Sequence, residues 1–361
     1  MYRFLISGGG TGGHIFPAIA IADELKQKYP TATFLFVGAS DRMEMQKVPD
    51  VGYDIEGLWI SGFQRDNMFK NLLLPLKLLV SLLKSFFILK KHKPSLVIGT
   101  GGYASAALLK VAGFLKIPYI IQEQNSLPGI TNKLLANNAQ KICVAYEGLE
   151  KYFPKDKLIY TGNPVRKNIL LQSSDISPDE FFNLKKDKKT LLILGGSLGA
   201  KQINSFIATK ISYFKEQDIQ VLWQCGQLYY DTYKVLNSDI VRVEAFISRM
   251  DLAYDLADVI LSRSGANSVS ELSIVAKPVL FVPSPNVAED HQTKNAIAIV
   301  EKGGAQMINE KDLKLYFEEY ISSLFFNDTL REELSRNFKL LAKPNATKDI
   351  ITEIDKLITK T

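Results

Sequence analysis

The sequence predicts an α/β protein of two Rossmann-like domains, each with a parallel sheet, and three observations support this prediction. Apolar runs of about five residues alternate with longer amphipathic stretches, the pattern of strands joined by helices in parallel sheets. Each half of the chain has a strand that ends in a glycine-rich turn, FLISGGGTGG in the first half and LLILGGSLGA in the second. A polar stretch at 163–189 separates the halves, so we place the domain boundary at residue 163.

Strands are expected at the apolar runs along the chain. In the first half they are RFLIS, TFLFV, SLVIG, PYIIQ, KICVA and KLIYT, and in the second half they are TLLILG, QVLWQC, VRVEAF, DVILS, PVLFVP and AQMIN. The last segment, PNATKDIITEIDKLITKT at 344–361, is expected to form a charged helix.

The composition narrows the classes of protein. The 361 residues carry a formal net charge of +6, and the basic side chains alternate with leucines rather than with stacking aromatics, which argues against nucleic-acid binding. Cys143 and Cys225 follow no metal or redox spacing and indicate a reduced, cytosolic protein. The apolar run at 1–7 meets the glycines at once, so no signal peptide is expected.

The first glycine turn, SGGGTGGHIFP at 7–17, fits the dinucleotide fingerprint and leaves three interpretations open. They are an NAD site, a site for another phosphate, and a tight turn that only needs positive φ. NAD is disfavoured, because the second strand is followed by GAS before Asp41 instead of ending in an acid. A third turn, GTGGYAS at 99–105, favours phosphate or sugar-phosphate binding, since such turns present backbone N–H groups to anions. Two domains face to face would place these turns around one cleft.

The second half adds side chains suited to a nucleotide sugar. SRSGANSVSE at 262–271 follows a strand and opens a helix, so its N-terminal amides suit a diphosphate and Glu271 suits the two ribose hydroxyls. Gln292 and Asn295 share a helix face, and amides both donate to and accept from sugar hydroxyls. Each feature alone is compatible with an ordinary polar helix start, but together they predict a nucleotide-sugar site.

Seven motifs in order resemble the MurG family, the bacterial glycosyltransferases that add GlcNAc to the lipid-linked precursor of peptidoglycan. They are GGGTGGHIFPAIAIA, GTGGYAS, QEQNSLPGITNKLLA, TGNPVR, LGGSLGA, RSGANSVSEL and DHQTKNA, and they cover essentially the whole chain. The resemblance implies a GT-B fold, with the acceptor in domain 1–162 and UDP-GlcNAc mostly in domain 163–343. It also implies that the C-terminal helix at 344–361 crosses back to the first domain.

The resemblance further implies which residues bind the substrates. The donor contacts are Thr11, Gly12, Gly13, Asn125, Arg166, Ser197, Ile247, Ala266, Asn267, Ser268, Val269, Ser270, Glu271 and Gln292. Within this set, Ile247 would read the uracil through its main chain and Glu271 would hold the ribose. Gly101, Gly102 and Tyr103 would face the acceptor diphosphate. Leu198 and Asn267 depart from residue types common at these positions in relatives.

The implied reaction is an inverting attack of the 4-hydroxyl of MurNAc in undecaprenyl-diphospho-MurNAc-pentapeptide on UDP-GlcNAc, which converts lipid I to lipid II. The sequence contains no Asp-x-Asp, so neither a metal nor a cofactor is predicted. Helix N-termini after Gly196 and Gly265, with Ser197 and Arg166, are expected to stabilise the departing UDP. His14 is the candidate general base, and a carboxylate or a water chain is the alternative.

Residues 69–93, FKNLLLPLKLLVSLLKSFFILKKHK, predict a contact with a membrane surface. Lys70, Lys77, Lys84 and Lys91 recur every seven residues, so on a helix they fall on nearly one face. The lysines and a proline interrupt the apolar run, so we expect the segment to rest on the anionic cytoplasmic leaflet of a bacterial membrane without crossing it. The alternative is an ordinary Rossmann helix with a solvated lysine stripe.

Other functions stay open at this stage. Within the same fold they are a transferase with another lipid acceptor, such as diacylglycerol, and a nucleotide-sugar epimerase. Outside it they are an NAD-linked oxidoreductase and a non-catalytic nucleotide-sugar binder. For a transferase that converts lipid I to lipid II, protein partners in cell-wall synthesis are expected, and the sequence does not identify them.

Overall fold

The computed structural model describes residues 1–62, 71–165, 169, 176–196 and 199–359, and the chain divides into two compact units. The first unit contains Met1–Val165 and Asn345–Thr361, and the second contains Arg166–Pro344. The sequence places these boundaries at 162/163 and 343/344. Each unit is built on one sheet whose strands pair in parallel, which confirms the α/β class with two Rossmann-like domains.

The first unit has a seven-stranded sheet with the order β3-β2-β1-β4-β5-β6-β7. Its strands are β1 (Arg3–Gly8), β2 (Thr33–Ala39), β3 (Ile55–Leu58), β4 (Leu96–Gly101), β5 (Tyr119–Glu123), β6 (Lys141–Val144) and β7 (Leu158–Tyr160). Its helices before the second unit are α1 (Gly12–Lys28), α2 (Glu44–Lys47), α3 (Leu74–His92), α4 (Tyr103–Phe114) and α5 (Ile130–Leu135).

Helices cover both faces of this sheet, so its central strands are buried. Every residue of β4 and of β5 is buried. On one face Ile15 and Leu25 of α1 pack on the sheet, and on the other face Ile88 of α3 and Leu108 of α4 do so. The carboxyl ends of the strands, where the glycine turns follow, therefore form one edge of a two-sided layer structure.

The second unit repeats this plan with a six-stranded sheet in the order β10-β9-β8-β11-β12-β13. The strands are β8 (Lys189–Leu194), β9 (Ile219–Gln224), β10 (Val241–Glu244), β11 (Val259–Ser262), β12 (Val279–Phe281) and β13 (Gln306–Met307). The helices are α6 (Pro178–Phe182), α7 (Lys201–Ala208), α8 (Ile211–Glu216), α9 (Tyr230–Tyr233), α10 (Met250–Leu256), α11 (Ala266–Val275), α12 (His291–Val300), α13 (Leu313–Phe326) and α14 (Asp328–Leu340).

The C-terminal helix α15 (Ala346–Ile358) packs on α1 in the first unit, as the sequence predicts. Its isoleucines join the same apolar cluster as the α1 side chains, and burial of one such side chain contributes about 1.5–3 kcal/mol. Tyr29 Oη donates to Asp355 Oδ1 over 2.6 Å, and Lys28 forms an ion pair with the same carboxylate. Burial, together with this hydrogen bond, raises the pKa of Tyr29 to about 12.

Candidate active site

The two glycine turns of the first unit lie side by side, because β1 and β4 are neighbours in the sheet. The Gly9 N–H donates to the Gly101 carbonyl over 3.3 Å. Gly101 has φ of 111° and Gly102 has φ of 92°, a region that favours glycine. A Cβ atom on Gly102 would lie 2.5 Å from the Gly9 oxygen, so glycine is required there for the turns to meet.

His14 lies in the first turn of α1, between the two glycine turns. Its Nδ1 is 2.9 Å from the Gly9 carbonyl oxygen. Because a carbonyl only accepts, we assign the ring proton to Nδ1, and the neutral imidazole then carries its lone pair on Nε2. A Cβ atom on Gly101 would lie 3.0 Å from Nε2, so the absence of a side chain at that position makes room for the ring. His14 is thus oriented with its basic nitrogen away from the turn that holds it.

The amides at the start of the first glycine turn are already used within the protein. The Gly9 N–H bonds to Gly101, and the Gly10 N–H donates to Glu44 Oε2 over 3.0 Å. The expectation that the whole turn presents N–H groups to a phosphate is therefore too broad. The N-terminus of α1 remains for that role, with exposed Thr11 as its N-cap and Gly12–Gly13 as its first residues.

Glu44 is a residue of the site that the sequence analysis missed. Its side chain is completely buried, and its Oε1 accepts the Ala39 N–H over 2.9 Å while Oε2 accepts from Gly10. A Cβ atom on Gly38 would lie 2.5 Å from Glu44 Cγ, and one on Gly9 would overlap the carboxylate. Asp41 is the only acid after β2 that the sequence analysis considered, and Glu44 lies three residues further along the chain.

Asn125 is held by a buried carboxylate at the end of β5. Glu123 Oε1 accepts the Asn125 main-chain N–H over 2.9 Å and its side-chain Nδ2 over 3.3 Å. The other oxygen accepts from Asn132 over 2.8 Å and from the Gly129 N–H over 3.1 Å. Gln124 Nε2 donates to the Thr100 carbonyl over 2.8 Å, which ties this loop to the strand before the second glycine turn. Asn125, a predicted contact of UDP-GlcNAc, therefore has a fixed backbone and a fixed side chain.

Tyr103 begins α4, directly after the second glycine turn. Its side chain is half exposed, and its ring lies where a Cβ atom on Gly62 would be. Of the predicted acceptor residues, Gly101 is buried, Gly102 is partly exposed and Tyr103 is exposed, and together they lead into a helix N-terminus, which is suited to bind an anion.

In the second unit, Glu271 lies on α11 and is 7% exposed. The Tyr254 hydroxyl, on α10, is 3.5 Å from Glu271 Oε2. The first intrahelical bond runs from the Val269 N–H to the Gly265 carbonyl over 2.9 Å. The N–H groups of 267 and 268 precede that bond in the first turn of the helix, where N–H groups have no partner within the helix and are suited to an anion.

The predicted contacts at 266–270 divide into two kinds. Val269 is buried in the core with its N–H bonded inside the helix, and the Ser270 hydroxyl donates to the Ala266 carbonyl over 3.1 Å. These two side chains support the helix. Asn267 differs, because its Oδ1 is buried and has no hydrogen-bond partner among the residues that the structure describes.

The predicted sugar-reading amides on α12 have different surroundings. Gln292 is partly exposed, and its Oε1 accepts the Ser284 N–H over 2.9 Å, which fixes the orientation of the amide. Asn295 is completely buried and donates to the Ser264 carbonyl over 3.3 Å. Asn295 thus joins α12 to the start of α11, and Gln292 is the more exposed of the two amides.

Ile247, expected to read uracil, is buried and its N–H is occupied. It donates to Gln224 Oε1 over 2.8 Å, and Gln224 Nε2 in turn donates to the Gly196 carbonyl over 3.3 Å. Recognition of a base through the Ile247 main chain therefore uses its carbonyl or requires Gln224 to move. Two further predicted contacts, Arg166 and Ser197, lie outside the described residues.

No cluster of three or more His, Cys, Asp or Glu side chains that could hold a metal ion occurs within the part of the chain that the structure describes.

The exposed surface of α3 is largely apolar, and two of its lysines bond back to the first unit, whereas Lys91 is exposed. Lys77 Nζ donates to Ser61 Oγ, in the segment after β3, over 3.0 Å, and Lys84 Nζ donates to the carbonyl of Gly57 in β3 over 2.7 Å. Lys70 lies outside the described residues. Exposed apolar side chains follow one side of the helix, namely Leu76, Leu79, Leu83 and Phe87. None of the helices in the described ranges is both long enough and apolar enough to span a membrane.

The fold and these sites are those of a two-domain glycosyltransferase. The glycosyltransferase family 28 N-terminal domain matches residues 4–144, and the corresponding C-terminal domain matches residues 190–352. These matches cover most of the chain and show the GT-B fold of that family.

Relatives narrow the family further. The chain is 57% identical to a protein of Flavobacterium psychrophilum and 55% identical to one of Christiangramia forsetii, in both cases over 99% of this chain and 98% of the relative. Both relatives are named UDP-N-acetylglucosamine--N-acetylmuramyl-(pentapeptide) pyrophosphoryl-undecaprenol N-acetylglucosamine transferase. The crystal structure of Acinetobacter baumannii MurG matches with a TM-score of 0.79 and 27% identity, over 99% of this chain and all of the other. The chain belongs to the MurG family.

Proposed function

We propose that this protein is an inverting, metal-independent glycosyltransferase that moves GlcNAc from UDP-GlcNAc to the 4-hydroxyl of MurNAc in undecaprenyl-diphospho-MurNAc-pentapeptide. The reaction converts lipid I to lipid II in peptidoglycan synthesis. Near-full-length relatives that carry the corresponding name support the proposal over the epimerase and oxidoreductase alternatives. The observation that carries the chemistry is the hydrogen bond from His14 Nδ1 to the Gly9 carbonyl.

His14 acts as the general base. As the acceptor 4-hydroxyl attacks the anomeric carbon, its proton passes to the lone pair on His14 Nε2, the new C–O bond forms, and the bond to UDP breaks with inversion. Protonation leaves a cationic ring whose Nδ1–H is still bonded to the Gly9 carbonyl, so the base does not need to reorient during the reaction.

The donor binds mainly to the second unit. Glu271 accepts the ribose hydroxyls, the N-terminus of α11 with Ser268 takes the diphosphate as it leaves, and the Gln292 amide reads the sugar. Because no Asp-x-Asp motif is present, helix amides and cations take the role of a metal ion, and Arg166 and Ser197 belong to this set.

The remaining donor and acceptor contacts lie in the first unit. Thr11, Gly12, Gly13 and Asn125 complete the donor site, and the Gly101–Tyr103 segment binds the acceptor diphosphate.

The apolar side of α3 rests on the anionic cytoplasmic leaflet, which brings the acceptor segment to substrates whose polyprenyl chain stays in the bilayer. Phe87 is 67% exposed on a helix that also carries exposed Lys90 and Lys91, and this combination suits an anionic lipid surface. The protein is thus peripheral at the membrane.

The decisive experiment measures UDP release from UDP-GlcNAc with a short-chain lipid I analogue, in EDTA, for the wild type and for His14→Ala. His92→Ala is the matched control, because His92 is also partly buried but lies at the end of α3 beside Glu56. We expect turnover in EDTA that falls by about 10²–10⁴-fold only in His14→Ala, with UDP-GlcNAc binding preserved. Turnover that survives in His14→Ala would exclude His14 as the base, and absent turnover with intact UDP-GlcNAc binding would exclude this acceptor.

Membrane association has its own test, in which the protein is sedimented with phosphatidylglycerol or phosphatidylcholine vesicles. We expect binding to the anionic vesicles that Phe87→Glu weakens. Leu340→Glu is the control, because Leu340 is equally exposed on α14 of the second unit. Equal loss of binding in both variants, or no preference for anionic lipid, would contradict this part of the proposal.

A further inference from the structure

One peptide group connects a buried carboxylate to the histidine that we assign as the base. The Gly9 carbonyl accepts from His14 Nδ1 over 2.9 Å, and the N–H of the same peptide group, on Gly10, donates to Glu44 Oε2 over 3.0 Å. The two bonds are made at opposite ends of one planar amide.

An amide that donates to a carboxylate becomes a stronger acceptor at its oxygen. The negative charge favours the resonance form with N–H positive and oxygen negative, so hydrogen bonds in such a chain strengthen one another. A stronger acceptor at the Gly9 oxygen holds the His14 Nδ1–H more tightly and favours the protonated imidazole. Basicity at Nε2 rises in consequence.

The burial of Glu44 makes this effect large for a single charge. The side chain has no exposed surface, and its carboxylate accepts hydrogen bonds from the main-chain N–H groups of Gly10 and Ala39. A buried charge is poorly screened, so its field acts on the neighbouring peptide with little attenuation. The residue types around it are also restricted, because side chains on Gly9 or Gly38 would overlap Glu44.

Other titratable groups at this edge of the sheet have different orientations. Glu123 is turned to its own loop through Asn125 and Asn132, and Asp41 and Arg42 are exposed after β2. Tyr103 is half exposed against Gly62. On the second glycine turn, the residues nearest His14 are Thr100 and Gly101, which do not titrate in this range.

We propose that Glu44 is a positioning residue for His14, which it orients and makes more basic through the Gly9–Gly10 peptide group. The arrangement corresponds to a base and its orienting carboxylate with a peptide group inserted between them. Its kinetic consequence rests on the proposed role of His14 as the base, but the hydrogen-bonded chain itself can be measured without turnover.

The first measurement uses the unmodified full-length protein and NMR. With three histidines in the chain, His14 imidazole nitrogens can be assigned by comparison with a His14→Gln variant. We expect a neutral His14 protonated at Nδ1, and a Gly10 amide resonance that titrates with the same midpoint as the His14 ring. The Gly10 titration should vanish in His14→Gln. A Gly10 amide that does not follow His14 would overturn the proposal, whatever the activity of the enzyme.

The second measurement compares Glu44→Gln with the wild type in both NMR and kinetics. A glutamine offers one acceptor where two N–H groups point, and it has no charge. We expect the Nδ1-protonated tautomer of His14 to lose population in Glu44→Gln, and the acid limb of the kcat/KM profile to move to lower pH. We expect kcat to fall about tenfold, with the KM for UDP-GlcNAc little changed.

The matched control is Glu353→Gln, which removes another buried carboxylate of the first unit, on α15 away from His14. It should leave the tautomer of His14 and the pH profile unchanged. Loss of activity in Glu44→Gln with an unmoved His14 tautomer and pH profile would reduce Glu44 to a structural residue and overturn the proposal. If Glu44→Gln does not fold, the NMR titration of the Gly10 amide in the unmodified protein decides. If neither the wild type nor any variant turns over, the result contradicts the proposed reaction but not the hydrogen-bonded chain from Glu44 to His14.

Discussion

Gly101→Ala tests whether the position of His14 governs turnover. The new Cβ atom would lie 2.9 Å from His14 Cδ2 and 3.0 Å from Nε2, about half an ångström or more inside ordinary contact distance. The imidazole would have to shift by about half an ångström from the position that its bond to Gly9 fixes, so we expect kcat to fall by about 10²-fold.

The same substitution also strains the backbone, because φ of 111° is unfavourable for alanine at a cost of about 1–3 kcal/mol. Gly52→Ala is the control for that strain. Gly52 has φ of 82°, and a Cβ atom there would meet nothing within 4 Å. Both variants should lose about 2–4 °C of Tm for each kcal/mol of strain.

The assay is therefore kcat from UDP release, read beside Tm from scanning calorimetry, for the two variants in parallel. Only Gly101→Ala should lose turnover. If its kcat stays within about twofold of that of Gly52→Ala at a similar Tm, the ring position does not matter and the assignment of His14 is refuted.

Three further outcomes follow from the structure. Glu271→Gln should weaken UDP-GlcNAc binding about tenfold by calorimetry and leave its 2′-deoxyuridine analogue nearly unaffected; equal losses for both ligands would remove Glu271 from the ribose. Ile354→Ala should lower the free energy of unfolding of the first unit by about 2–5 kcal/mol in urea, since this side chain is completely buried; no change would mean that α15 is not required for stability. Burial raises the pKa of Cys143 to about 12 and also raises that of Cys225, so neither thiol should react with Ellman's reagent at pH 8 unless guanidinium is present; a fast-reacting thiol in the native protein would show that one is accessible.

The central strands could be predicted because they are buried on both faces, which makes most of them short apolar runs. The strand β3, at the edge of its sheet, was not predicted. Its sequence, IEGL, includes a charged residue and a glycine, so no apolar run marks it. Gly57 is needed because Ser40 occupies the space of a side chain there, a contact that sequence reasoning cannot anticipate.

The glycine turns and His14 could also be located from sequence, since local motifs carry them. The residues that contact these turns could not be located in this way. Glu44 is 34 residues from Gly10, whose N–H donates a hydrogen bond to its carboxylate, and the two residues meet only because β2 lies beside β1. Likewise, the spacing of Gln292 and Asn295 correctly indicates neighbouring positions on one helix, but exposure decides which amide can reach a ligand, and that depends on how α12 packs against Ser264.

The position of α15 has a consequence for synthesis of the chain on the ribosome. The first unit begins at the N-terminus but is completed by residues 345–361, after the whole second unit has been made. Until α15 emerges, the apolar side chains on α1 that it covers have no partner, and the N-terminal part waits as an incomplete nascent domain. The second unit, which is continuous in sequence, can fold before the first unit is complete.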